Sequence, residues 1–173
     1  MLTREEFGRL FDVFERSAWR LEIQGVYDEP EEREPFRRFL AGEPDDLEWM
    51  QDWYDWIHEV TSAGKQCARV RATTDPLTDY LRWELGVLTP PAVDAGEDIR
   101  VLPAQQAIAL ELPRTDFWLF DDSSVAVLVF GESGVVGAEL VDEREAVESY
   151  RRVRDRAWDA AVPYQDWAAT SAP

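Results

Sequence analysis

Asp116 to Val141 reads DFWLFDDSSVAVLVFGESGVVGAELV, and the fold class turns on these residues. Three runs within it, DFWLFD, VAVLVF and VVGAEL, are rich in the aromatic and β-branched residues that suit a pleated, half-buried surface. Asp122-Ser123-Ser124 joins the first run to the second, and Gly131-Glu132-Ser133-Gly134 joins the second to the third. Asp, Ser and Gly are turn formers, so the segment predicts two consecutive hairpins, a β-meander. Along the first strand Asp116, Trp118 and Phe120 share one face, while Phe117, Leu119 and Asp121 share the other. The acids at its two ends therefore do not make one carboxylate pair. Asp121 and Asp122 read as turn residues, and Asp116 as the residue that begins the strand.

Upstream, helical patterns dominate. Thr3 and Glu6 match a capping box, and Phe7, Leu10, Phe11 and Phe14 follow at helical spacing, which predicts a helix over about 4–15. Trp19, Leu21 and Ile23 alternate with Arg20 and Glu22 as in a strand ending near Gly25, and a short helix is expected from Arg33 to Leu40. Asp45 or Asp46 caps a longer helix, DLEWMQDWYDWIHEV, with Leu47, Met50, Tyr54 and Ile57 on one stripe and Trp49, Trp53 and Trp56 on the next. So wide an apolar arc fits a helix wedged between packed layers, or an aromatic surface for a partner. Cys67 to Thr74 alternates as a strand with Val70 opposite Arg69 and Arg71, and Asp75-Pro76 opens a helix that stops at Gly86. Val87 to Gly96 contains Thr-Pro-Pro and reads as a loop, Ile99 to Pro103 as a short strand, and Glu143 to Ala161 as a final helix. The elements together predict an α+β protein, a single domain over residues 1–173, with a mostly antiparallel sheet ending in the meander and helices packed on one face.

With 45% hydrophobic residues, eight Trp and eight Phe in 173 positions, the chain has material for a sizeable core. There is no run of about 18 apolar residues, and MLTREEFGRLF lacks an uninterrupted apolar segment, so a cytoplasmic protein is expected. One cysteine, Cys67, and one histidine, His58, exclude an internal disulfide and leave a zinc site short of ligands. No phosphate loop, dinucleotide fingerprint or nucleophile elbow is present, and no cofactor is indicated. The net charge of -18, with Lys65 the one lysine, repels nucleic-acid backbone and anionic lipid and favours basic partners.

One constellation carries chemistry. In DYLRWE, Asp79 and Arg82 share a helix face, as do Tyr80 and Glu84. If Arg69 and Arg71 face this helix, Arg69, Arg71, Asp79, Tyr80, Arg82 and Glu84 form a polar pocket for a small anionic or zwitterionic ligand. The plainer reading is a local ion pair on a surface helix.

The order and spacing of RVRATTDPLTDYLRWEL, AGEDIRVLP, LPRTDFWLFDD and GAELVDE, followed by a helix ending in AVPYQDW, resemble the uncharacterised actinobacterial proteins grouped as domain of unknown function 6879. The resemblance covers nearly the whole chain. It implies a small cytosolic protein, typically encoded beside helix-turn-helix transcription regulators, and brings no activity, cofactor or catalytic residue with it. Charge and resemblance together lead to an expected function, a non-enzymatic regulatory or interaction protein binding a basic partner, namely a helix-turn-helix regulator. Glu29, Glu31, Glu32, Asp45, Asp46 and Glu48 would steer the partner, and Trp49, Trp53 or Trp56 would anchor it. Direct nucleic-acid binding is disfavoured and no membrane contact is indicated. Two alternatives stay open. One is a toxin-like ribonuclease of a toxin-antitoxin-type pair, with Arg69, Arg71, Arg82 and Tyr80 on phosphate and Glu84 as general base; the other is a small-ligand sensor using the arginine-lined pocket.

Overall fold

In the computed structural model, which describes residues 1–171, eight strands form one sheet. They are β1 (Leu2–Thr3), β2 (Ser17–Glu22), β3 (Gln66–Ala72), β4 (Asp98–Leu102), β5 (Phe117–Phe120), β6 (Ser124–Gly131), β7 (Gly134–Val141) and β8 (Val162–Pro163), in the spatial order β1-β7-β6-β5-β2-β3-β4-β8. The expected meander is β5-β6-β7. Its first turn places Asp121 and Asp122 at φ 53° and 59°, left-handed backbone that aspartate tolerates better than most residues. Asp121 does more than turn the chain. Its carboxylate accepts the backbone N–H of Glu15, Arg16 and Ser17 at 2.8, 2.6 and 2.9 Å and so pins the start of β2 against the end of β5.

The class is α+β and the sheet mostly antiparallel, with β2, β3 and β4 parallel to one another near its middle. Parallel neighbours need long crossovers. These carry α3 (Arg33–Ala41), α4 (Gln51–Ser62), α5 (Asp79–Trp83) and α6 (Thr89–Ala95). With α1 (Arg4–Gly8) and α2 (Leu10–Val13), they cover the face formed by Ala18, Cys67, Trp118 and Phe120. The helices are not all on that face. The opposite one, formed by Trp19, Leu21, Val70, Phe117 and Leu119, is covered by Val147, Tyr150, Val153 and Ala157 of α8 (Arg144–Ala160), and α7 (Ala104–Ala109) contributes Ala107 there. Period-2 alternation explains the division, because both faces of the central strands are apolar enough to need a cover.

Several local expectations change, among them the helix expected to open at Asp75-Pro76, which starts at Asp79 with Thr78 as its cap. The 4–15 helix breaks at Arg9 into α1 and α2, so Phe7, Leu10 and Phe11 still pack on the sheet while the chain turns toward β2. The 87–96 loop is helical: α5 runs through a wide π turn, Glu84–Leu88, into α6, with Pro90 and Pro91 near the helix start, where a missing N–H costs nothing. Thr89 seals the wide turn, its hydroxyl donating to the Glu84 carbonyl at 2.9 Å. This turn directs Glu84 inward. At the far edge β1 adds to β7 beside Gly137, where a Cβ would stand 2.1 Å from the Leu2 carbonyl oxygen, so only glycine permits the pairing. A final helix, α9 (Tyr164–Ser171), follows β8, and Tyr164 donates its hydroxyl to the Leu85 carbonyl at 2.6 Å.

Candidate functional site

Strands β2 and β3 lie in register, Arg20 beside Arg69 and Glu22 beside Arg71, with Trp118 of β5 on the other flank of Arg20. Like charges directly opposite on a sheet repel. Here Glu22 separates them, one oxygen paired with Arg20 Nη1 at 2.8 Å and the other accepting Arg69 Nη1 at 3.0 Å. Glu97 takes Arg69 in a two-pronged contact at 2.7 and 3.0 Å, and Glu84 takes Arg71 Nε at 2.7 Å. Asp116, fully buried, receives the Ile23 N–H at 3.1 Å and the Tyr27 hydroxyl, with Arg20 Nη2 at 3.6 Å. The floor is thus a lattice of three guanidinium groups and four carboxylates held between strands and the π turn. Burying so many charges is costly, and only mutual pairing makes it tolerable.

Above this floor lies a cavity of about 590 Å³, within the range of small-molecule sites. Arg20, Glu22, Arg69 and Trp118 line it from the sheet, and Glu84 and Leu88 from the π turn. Phe7, Gly8 and Phe11 close it from α1 and α2, Trp49 and Met50 from the helical turn before α4 and Trp53 from the first turn of α4, and Tyr27, Glu29 and Glu32 from the segment after β2. The aromatic walls are locked together: Trp53 stacks on Trp56 at 4.8 Å, and Phe11 meets Trp118 edge-on at the same distance. Several polar atoms at the wall are unspent. Arg20 Nε and Glu29 Oε2 are buried without a hydrogen bond; Arg4 Nη1 stands 3.4 Å from that Glu29 oxygen without hydrogen-bond geometry.

The titrations follow from the geometry. Burial works against the Glu22 charge, but Arg20, Arg69 and Arg71 outweigh it and hold the carboxyl down at about 2. Glu84 is raised by burial, which Arg71 only partly offsets. Glu32 is pushed up to about 7, first by burial and then by the Glu84 and Glu29 charges, although Tyr80 donates its hydroxyl to it at 2.7 Å. Burial likewise raises Asp116 and the Tyr27 and Tyr80 hydroxyls.

Of the residues singled out in the sequence, Arg69, Tyr80, Glu84, Trp49 and Trp53 line this cavity. Arg71 lies beneath it, 1% exposed. Asp79 and Arg82 pair with each other on the exposed side of α5, away from the cavity. Trp56 packs on Phe11 and Phe14. Asp45 and Asp46 accept the backbone N–H two residues on, and Asp45 also takes the Trp49 indole N–H at 3.0 Å. Glu29, Glu31 and Glu32, expected to steer a partner, also line the cavity, while Arg20, Glu22, Tyr27, Glu97, Asp116 and Trp118 join the site without having been singled out for it. The alternation of Arg20 and Glu22 against Trp19 and Leu21 was the available signal. Among the described residues, no group of three or more His, Cys, Asp or Glu side chains is placed to hold a metal ion, and no helix is long and apolar enough to cross a membrane.

No curated protein matches the chain. Among solved structures, it is similar to that of TrmBL2, an archaeal chromatin protein whose structure is described as showing a novel mode of DNA binding. Identity is 10% and the TM-score 0.47, over 89% of this chain and 47% of that one, so the chain spans about half the length of that protein. The expectation of a basic protein partner with direct nucleic-acid binding disfavoured rested on net charge and is withdrawn as a correction, the similar structure being one described as showing a mode of DNA binding. Net charge sums over the whole surface and does not decide which local surface meets which class of partner. The family model described as Domain of unknown function (DUF6879) matches residues 5–169, and the chain belongs to that family.

Proposed function

We propose that the protein is a small-ligand-binding module whose ligand occupies the cavity between the α1, α2 and α4 layer and the charged face of the sheet. The observation that carries this reading is the pairing of a 590 Å³ aromatic-walled space with a rigid polar floor on which Arg20 Nε is unspent. A space of that size against side chains already held by neighbouring strands is pre-organised, so a ligand meets little ordering cost. Phosphate recognition of the ribonuclease kind has less support. Each of Arg69, Arg71 and Arg82 is already matched to a carboxylate, and Arg82 points elsewhere.

The test is a panel of aromatic fragments screened by ligand-observed NMR against the wild type and Gly8→Trp. Gly8 lines the cavity mouth and a Cβ there meets nothing within 4 Å, so the bulky variant plugs the opening without disturbing the core. Fragments that bind the wild type and lose at least tenfold affinity to the variant support the reading. A panel that binds both proteins equally, or neither, removes it.

A further inference from the structure

Resting on that reading, we infer that the ligand is an organic cation, a protonated amine or amidine on a flat aromatic body, with its charge set between Glu84 and Glu32 and its body against Trp53 and Trp118. Charge balance at the wall is the first support. Arg4, Arg20 and Arg69 contribute three positive groups, whereas Glu22, Glu29, Glu31, Glu32, Asp52 and Glu84 contribute six negative ones. Arg20 and Arg69 also have carboxylates beside them already. Arg69 spends its guanidinium on Glu22 and Glu97, and Arg20 is shared by Glu22 and Asp116.

Glu84 is the second support, independent of the count. Its side chain is 9% exposed and lines the cavity; Arg71 Nε reaches one oxygen at 2.7 Å, and the other accepts no hydrogen bond among the described residues. That second oxygen opens on the cavity, where an incoming N–H meets a carboxylate already stripped of most of its water. Glu32, also on the cavity wall, is held by Tyr80 alone among the described residues, and the Glu84 charge adds to the burial that raises it. A cation between two such carboxylates cancels that repulsion, and it gains again from the faces of neighbouring aromatic rings. An anion would meet both carboxylates, and the guanidinium nitrogens left without a hydrogen bond, Arg20 Nε and Arg4 Nη1, belong to side chains already beside Glu22 and Glu29.

Three probes with one body separate the charge from the shape: tryptamine, tryptophol and indole-3-propionate, titrated calorimetrically at pH 8. The expected order is tryptamine tightest, tryptophol at least tenfold weaker and indole-3-propionate weaker still. Glu84→Gln and Glu32→Gln should each bring tryptamine to within about threefold of tryptophol while leaving tryptophol unchanged. Wild-type affinity for tryptamine should also rise from pH 6 to pH 8 as Glu32 ionises, with Tyr80, Glu84, Glu29 and Arg20 the charged or titratable groups around it. Equal binding of the three probes, or preference for the anion, overturns the cation assignment and leaves the cavity standing as a ligand site. Failure of all three at millimolar concentration overturns both.

Discussion

Glu32→Gln should make the folded protein more stable at pH 8 and change little at pH 5. The carboxyl has an ordinary value of 4.5 and sits at about 7 in the fold, because burial and the nearby Glu84 and Glu29 charges favour its protonated form. A raised acid binds more protons folded than unfolded between those two values. Its stabilising contribution is therefore complete below pH 4.5 and is lost as pH rises through 7. Each pH unit separating the folded and unfolded values is worth about 1.4 kcal/mol, so the whole effect has a ceiling of about 3 kcal/mol, of which about 2.5 falls between pH 5 and pH 8. Screening by solvent at the cavity mouth brings the observable part to roughly 2 kcal/mol. Glutamine keeps an oxygen for the Tyr80 hydroxyl and removes the titration.

Urea unfolding of both proteins at pH 5, 6, 7 and 8 gives the comparison. Taking the difference between them cancels groups of opposite sign such as Glu22, whose depressed value makes its contribution vanish only in acid. A variant-minus-wild-type difference that stays flat across the four pH values refutes the raised carboxyl. A difference that falls with pH reverses the sign of its environment and places a cation beside it.

Arg71→Met should destabilise by about 3–5 kcal/mol in the same unfolding assay, since it leaves Glu84 buried without its partner and frees the Gln24 and Ala72 carbonyls of their donor. Arg71→Met combined with Glu84→Leu should recover at least half of that loss, whereas purely additive penalties would show that the two side chains do not act as a pair. Asp121→Gly should cost about 2 kcal/mol by removing the acceptor of three backbone N–H groups while keeping the left-handed turn permissible, and Asp121→Ala about 1 kcal/mol more because a Cβ resists φ 53°. Equal losses for glycine and alanine would show that the backbone conformation costs nothing there.

Period-2 reading of Asp116 to Val141 found the meander, and the same alternation placed Val70 opposite Arg69 and Arg71. Strand order was not legible. Nothing local in SAWRLE says that β2 pairs in parallel with β3 and antiparallel with β5, because that choice is made by helices that cross between them. Asp116 shows the limit most clearly. It reads as the residue that begins the strand, which says nothing of its burial, and it is sealed beneath Tyr27 and Arg20, residues roughly 90 positions away in sequence. The wide apolar arc of the tryptophan helix suggested a helix between layers, whereas α4 covers one sheet face with Asp52, Asp55, His58 and Glu59 exposed and Trp53 and Trp56 half-buried against it. Thr-Pro-Pro misled because proline reads as a breaker inside a helix but is favoured at its first turn, and the π turn before it moved the helix start to Thr89.

A sheet face carrying Arg20, Glu22, Arg69 and Arg71 in register would be more stable, by the usual experience with buried ion clusters, if those positions were well-packed aliphatic residues. Aliphatic residues would also close the cavity, since they pack into space that a rigid guanidinium lattice holds open. The same desolvation cost acts on any occupant. A neutral apolar molecule that fills the space strips water from the second oxygen of Glu84 without replacing its hydrogen bonds, and forfeits much of what it gains against Trp53 and Trp118. An occupant bearing a donor at the Glu84 end avoids that loss. The polar lattice is therefore the source of both the open volume and the selectivity, which is why discrimination by charge, more than affinity for an aromatic body, is the property that separates this cavity from an incidental packing defect.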